Sequence, residues 1–419
     1  MKKLVVLALV LIVSTQVFAK GGTEAVSSGP VTLTVWGRDL PDDDPTHAYH
    51  KAVAEMFPAK YADTITLEYV PNVEVGNTIR VAFAANEGPD IFQSWGGSTM
   101  GGYADAGRLL DLTKELADVP TSEAARNAMS WKGKTYGVAP FFAVAGLFVN
   151  EGIFKEQNLK VPTTIAEMER TAEYLLGKGI QPFALGGKDK WPILAMYMYL
   201  TNRYGGYAFS RAQGREIRFD DDAFVNAGLI YQQWGAKGYF GEKPLSEGYG
   251  DAQALMNTGQ AAMQVTGSWM CSGYSDPATT DQTIGFYPFP IVQGGVGKAT
   301  DVMGQTDIGW AATIYAKDKR AAVVEFLKYV MSPEVVSKDP GRVCSVPGVQ
   351  APTRLTKMAS DVLANAQRVT FWWDQDLPPD ITAPLQDTLQ AFFIPGANVK
   401  EWLTKYEALA EESLGPVKK

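Results

Sequence analysis

Four places in this sequence set tryptophan beside short polar side chains. Trp36 runs into Gly37, Arg38 and Asp39. Gln93 and Ser94 precede Trp95. Thr266, Gly267 and Ser268 precede Trp269. The pair Trp372–Trp373 runs into Asp374 and Gln375. An indole offers a broad apolar face, while carboxylates, amides, hydroxyls and guanidinium groups exchange hydrogen bonds with hydroxyls. Together they suit a ligand with weakly apolar C–H faces and a rim of hydroxyls, which is the surface of a sugar. Selectivity would follow because a wrong stereoisomer leaves buried polar groups unpaired. Any one of these tryptophans taken alone suits a core equally well; their shared neighbourhood is what points to a binding site.

The sequence offers little to a catalyst. It holds no G-x-S-x-G turn, no P-loop and no dinucleotide glycine fingerprint, and Gly294-Gly295-Val296-Gly297 lacks the strand-to-helix setting that such a fingerprint requires. His47 and His50 are its two histidines, and no further cluster joins them to make a metal centre. Acidic residues are many, but no pair is singled out for glycoside cleavage. The expectation is a binding protein with no catalytic residue, no cofactor and no metal. Two alternatives stay open: a binder of a non-sugar solute such as a polyamine, which would box aromatics with carboxylates, and an exported glycan-cleaving enzyme.

The elements that would position these residues alternate strand and helix. Val31–Val35 is alternating and β-branched; a helix is expected over 47–57, a strand over 65–70, a helix over 77–85 and a short buried strand over 89–92. This β-α-β-α-β order predicts a parallel, helix-covered sheet whose ligands lie beyond the carboxyl ends of the strands, where Trp36 and Trp95 stand. The run 141–150 is long and extended, as a crossing between lobes would be. Trp191–Pro192 opens an apolar helix. A strand over 261–265 ends at Trp269, an extended stretch covers 284–290, and a strand is expected over 308–315. A helix over 320–331 follows, then a mainly helical remainder interrupted by 371–379.

The N-terminus reads as a secretory signal peptide over 1–19: Lys2 and Lys3, an apolar run from Leu4 to Val13, and Val17-Phe18-Ala19 at the cut. That run is too short to span a bilayer, which takes about 20 apolar residues. No Cys near the cut could accept a lipid, so the mature chain is expected to be periplasmic and free. A polar tether is expected over 20–30. What remains is long enough for two cores. The chain carries 38 Lys+Arg against 46 Asp+Glu, a formal net charge of −8, which disfavours nucleic acid and anionic lipid as partners. Cys271 and Cys344, its two cysteines, leave a disulfide and two free thiols equally open.

In order, the motifs Leu33-Thr-Val-Trp36, Gly88-Pro-Asp-Ile-Phe92, Gly102 to Asp111, Gly146-Leu-Phe-Val-Asn150, Trp191-Pro192, Gly259 to Met263, Thr266-Gly-Ser-Trp269 and Phe326 to Glu334 resemble the family 1 extracellular solute-binding proteins, the maltose-binding-protein-like group that feeds ABC sugar importers. The resemblance implies an α/β fold of the type II-like periplasmic-binding-protein kind. Each of its two lobes would be a helix-flanked, mainly parallel sheet. It implies a three-segment hinge, with crossings near Pro140, Phe286 and Met331. Lobe one would take 31–140 plus 287–331, and lobe two 141–286 plus 332–419. The implied partners are a mono- or oligosaccharide and the membrane permease subunits, with the chain itself a monomer. Carried over by position are Trp36 and its loop, Ser94, Phe142, Trp191 and Trp269. The full candidate set is Trp36, Arg38, Asp39, Gln93, Ser94, Trp95, Phe142, Trp191, Trp269, Asp307, Trp372, Trp373 and Asp374. The maltose protein has an aromatic where Ser94 stands here, so carbohydrate is implied but malto-oligosaccharide is not.

Overall fold

The computed structural model describes residues 29–39, 48–72, 74–277, 280–339, 341–351 and 353–418. The expected signal peptide, nearly all of the tether and His47 lie outside the described residues.

The first lobe is built on β1 (Val31–Gly37), β2 (Ile65–Pro71) and β3 (Ile91–Gln93), all parallel. Alternation along β1 sends Leu33 and Val35 to one face, where Tyr49, Val53 and Phe57 of helix Ala48–Tyr61 meet Phe326 and Leu327 of helix Arg320–Val330. On the other face Trp36 packs with Phe92, Ile79, Phe83 and Met100. A small hairpin, β4 (Ser130–Trp131) with β5 (Lys134–Thr135), lies beside them. The second lobe holds β7 (Gln181–Phe183), β8 (Ala261–Gly267) and β9 (Ile284–Tyr287). At its centre is helix Trp191–Gly205, buried continuously from Pro192 to Arg203. Buried Arg203 is satisfied by the carbonyls of Phe289, Pro290 and Asp301, so a charge in this core costs no lost hydrogen bond.

Two long strands belong to both lobes. β6 (Gly137–Asn150) places Val138 and Phe141 in the first-lobe core and Leu147 and Val149 in the second. β10 (Asp301–Ala312) returns, with Met303 in the second core and Ile308 and Trp310 in the first. β10 is antiparallel to β3 and β6, and β6 is antiparallel to β8 and β9. Each lobe is therefore a mainly parallel sheet crossed by one opposing strand: β10 in the first, β6 in the second. The strand order is β2-β1-β3-β10-β6-β8-β7, with β11 (Arg368–Phe371) pairing β10.

These packings correct the expected boundaries. Phe286 sits in β9 inside a second-lobe cluster, and Phe289 and Met303 also pack there; β10 makes the second crossing, near residue 305. Met331, Val335, Val336 and Val346 all pack in the first lobe. The third connection runs through 341–351, which lies along β6 through Ser345 N–H to Pro140 O at 2.9 Å and Phe142 N–H to Val343 O at 3.1 Å. β10 also begins earlier than the expected 308–315. Gly304, Gln305, Asp307 and Gly309 interrupt its apolar alternation and hide the strand from a pattern reading.

Candidate functional site

Where the two lobes and the crossing segments meet, a cavity of about 570 Å³ opens. The second lobe supplies an aromatic wall. Trp191 stands at the first turn of its helix, Tyr249 opens helix Tyr249–Asn257, and Trp269 lies in the turn after β8. Trp372, which follows β11, closes the group. Ring centroids lie 4.5 Å apart for Trp191–Tyr249, 5.3 Å for Trp269–Trp372 and 6.0 Å for Trp191–Trp269, within the range of packed aromatic pairs. Hydrogen bonds fix the wall. Trp269 Nε1–H donates to Tyr249 Oη at 2.7 Å, and that hydroxyl pairs with Thr266 Oγ1 at 2.9 Å. Burial pushes the Tyr249 hydroxyl up to about 12, so it stays neutral and can serve this chain. The Tyr249 backbone N–H holds Asp189 at the rim, at 2.7 Å.

The first lobe contributes Arg38 and Trp95, from the ends of β1 and β3. Trp95 is followed by Gly96 at φ 73°, where a Cβ would collide with the Ala128 carbonyl; glycine lets β3 turn sharply into helix Gly97–Asp105 and leaves the indole at the cavity.

The floor comes from the crossings. Thr306 and Ile308 pair with consecutive residues Phe142 and Phe141, so Asp307 is the extra residue of a bulge. A bulge re-aims its side chain, and Asp307 lines the cavity. Arg342 reaches Asp307 Oδ1 at 2.5 Å and Asp339 Oδ2 at 2.8 Å. Burial works against the Arg342 charge, but the two carboxylates outweigh it and raise its pKa. Burial likewise raises the Asp339 carboxyl, although Arg342 pulls it down.

Three buried oxygens of cavity-lining residues lack a hydrogen-bond partner among the described residues: Gln305 Oε1, Asp307 Oδ2 and Asp374 Oδ1. All three are acceptors, and each is costly unless a donor arrives. Burial pushes the Asp374 carboxyl up to about 7. Beside Trp95, Asp374 and Gln375 a second cavity of about 330 Å³ adjoins the first. It is bounded by the start of helix Val75–Ala84 and reached by Gln93 and Ser94. A larger hollow of about 860 Å³, around Leu229, Phe393 and Pro395, has no indole in its wall.

Of the residues singled out from the sequence, Arg38, Trp95, Trp191, Trp269, Asp307, Trp372 and Asp374 line the first cavity, and Gln93 and Ser94 the second. Three others stand at packing positions and line neither cavity. Trp36 is the outward alternate of β1 and packs on the first-lobe core. Phe142 is fully buried at the crossing against Phe371. Trp373 is fully buried and stacked on Phe209 at 4.0 Å. Asp39 follows Arg38 but lines neither cavity. Tyr249, Asp189, Gln305 and Arg342 were not singled out. A Gly-to-aromatic step at Gly248–Tyr249, like the one at Gly267–Ser268–Trp269, was the available signal for Tyr249. Arg342 offered no local signal, because only the fold brings it to Asp307. Cys271 and Cys344 are both free thiols.

Residues 43–337 match the family described as bacterial extracellular solute-binding protein. The chain belongs to that family. It is 24% identical to the multiple sugar-binding protein of Streptococcus mutans over 63% of this chain and 64% of that one. It is also 24% identical to an uncharacterized ABC transporter extracellular-binding protein of Pyrococcus horikoshii, over 58% of this chain and 57% of that one. The match thus spans under two thirds of these curated relatives' length. Among solved structures it resembles a chitin oligosaccharide binding protein, with a TM-score of 0.82, 25% identity and coverage of 92% of this chain and 99% of that one.

Proposed function

We propose that this chain captures a carbohydrate in the cleft between its lobes and delivers it, unchanged, to the permease of an ABC importer. The observation that carries this reading is the pairing of an indole wall with buried acceptor oxygens that want hydroxyl donors. Indole faces would take the sugar's C–H surfaces, while Gln305, Asp307 and Asp374 would take its hydroxyl protons. Ligand held by the second-lobe wall would gain Arg38 and Trp95 when the lobes close, and those added contacts would favour the closed form. The protein would be exported to the periplasm after cleavage beyond Ala19, without a lipid anchor, and would act as a monomer without catalysis.

The similarity to a chitin oligosaccharide binding protein suggests the first probes, chitin oligosaccharides and their monosaccharide, beside a panel of other neutral oligosaccharides and their constituent monosaccharides. Titration calorimetry should show saturable binding of at least one, recovered intact by mass spectrometry. Cleaved sugar would overturn the non-catalytic reading. Asp189, Asp307 and Asp374 beside aromatics support a second reading, a polyamine site. Arg342 already takes one Asp307 oxygen, which weighs against it. Putrescine and spermidine belong in the same panel, and their binding in place of every sugar would select that reading. A mature N-terminus at Lys20 would establish the cleavage.

A further inference from the structure

The second, smaller cavity has its own polar logic, set by one glutamine. The Gln93 side chain is 1% exposed. Its Oε1 accepts from the Arg38 backbone N–H at 3.2 Å and lies 2.8 Å from His50 Nε2. A backbone N–H can only donate, so the atom facing Arg38 is the carbonyl oxygen and His50 must donate through Nε2–H. The Gln93 amide NH₂ is then turned away from both. It has no hydrogen-bond partner among the described residues, and Gln93 lines the second cavity. Asp374, whose Oδ1 is also without a partner, lines both cavities. Two residues of this small cavity thus carry one buried donor and one buried acceptor without a partner, and a hydroxyl, which both accepts and donates, would suit the pair. The walls also carry Phe92, Tyr103 and Trp95, which give a sugar ring apolar surface. Trp95, Asp374 and Gln375 belong to both cavities, so the two form one continuous trough.

We infer that the cavity beside Gln93 receives a second sugar unit, so that the ligand is an oligosaccharide of two or more units, with Trp95 at the junction between them. This rests on the carbohydrate reading above and narrows it. Gln93 supplies the donor that selects the second unit, and His50 is a positioning residue that fixes which way the amide points.

The test compares the monosaccharide with its own dimer and trimer from the sugar panel, by calorimetry on the full mature chain. Affinity should rise about tenfold or more from monomer to dimer in the wild type. Gly76→Leu should remove that gain. Gly76 lies on the wall of the second cavity only, and a Cβ there meets Trp95 at an ordinary 3.5 Å, so the added side chain fills space without displacing backbone. Gln93→Leu should also lower the dimer-to-monomer affinity ratio, and Gln93→Asn should not restore it, because the shorter amide cannot keep both Arg38 and the cavity in reach. Equal affinity for monomer and dimer, or a gain that survives Gly76→Leu, overturns the second cavity and leaves the carbohydrate reading standing. Failure of every sugar to bind overturns both.

Discussion

Arg342 meets the Asp307 carboxylate at 2.5 Å beneath the cleft, and this one contact ties the second crossing segment to the third. Neither partner is more than 9% exposed. Asp307 belongs to a bulge in β10, and Arg342 to the 341–351 connection that runs along β6. The same pair lines the cavity, so the groups that join the crossing segments are also groups a ligand would touch.

Removing Arg342 should therefore be costly. Arg342→Ala leaves Asp307 and Asp339 buried without their cation, and loss of one partner of such a pair costs about 3–5 kcal/mol. Asp307→Asn keeps an oxygen for Arg342 and should lose less. Thermal and urea unfolding of both variants measure the difference, and equal losses would argue against the buried network.

Two aromatic positions should behave differently. Trp269→Ala removes a cavity wall and should weaken carbohydrate binding by about 2 kcal/mol, roughly thirtyfold in Kd, with the unfolding midpoint largely kept. Trp373→Ala empties a stacked core position and should cost about 3–5 kcal/mol of stability. Calorimetry and unfolding on the same two preparations decide this; the reverse pattern would exchange their roles.

Asp374 sets a pH dependence. Its carboxyl is pushed from an ordinary 3.8 to about 7 by burial, so the folded chain holds this proton more tightly than the unfolded chain. Stability from this group is full below about pH 4 and is lost as pH rises towards 7. Asp374→Asn removes the effect. The variant should therefore gain on the wild type as pH climbs from 4 to 7, then hold a constant advantage. Unfolding midpoints of the two proteins measured across pH 4–8 test it, and a constant difference throughout would contradict it.

The thiols should be quiet. Burial pushes the Cys344 thiol up to about 11 and the fully buried Cys271 thiol higher still. Neither forms thiolate near pH 8, so the native protein should resist iodoacetamide and take up two equivalents only after denaturation. Fast labelling of the native chain would refute this.

Much of this architecture was legible because local chemistry and tertiary position agree. The β-branched alternation of Val31–Val35, the apolar helix opened by Trp191–Pro192 and the strand running into Trp269 all appear where their patterns put them. What resisted was whatever depends on through-space geometry. Trp372 and Trp373 are adjacent, with one in the cavity wall and its neighbour in the core, because consecutive side chains entering a helical turn point to different sides. The crossings expected near Phe286 and Met331 rest on the family resemblance alone, and no local pattern at either residue marks a passage between lobes. The true second crossing was hidden in β10, whose polar residues are the ones that serve the site. Asp189, Tyr249 and Arg342 come from three distant stretches of chain, and no spacing rule links them.

The break at Asp307 is one of two in the ribbon that joins the lobes. A second register shift falls between Ile308 and Trp310, opposite a stretch of β6 containing Pro140, which has no N–H to give to the ladder. The 341–351 connection pairs with β6 along the same stretch, so the two gaps between β10 and β6 are notches in a three-segment ribbon. Such a ribbon would bend most readily where its rungs are missing, like a notched leaf spring. The expected consequence is that a variant repairing a notch would stiffen the hinge without touching either cavity wall on the lobes.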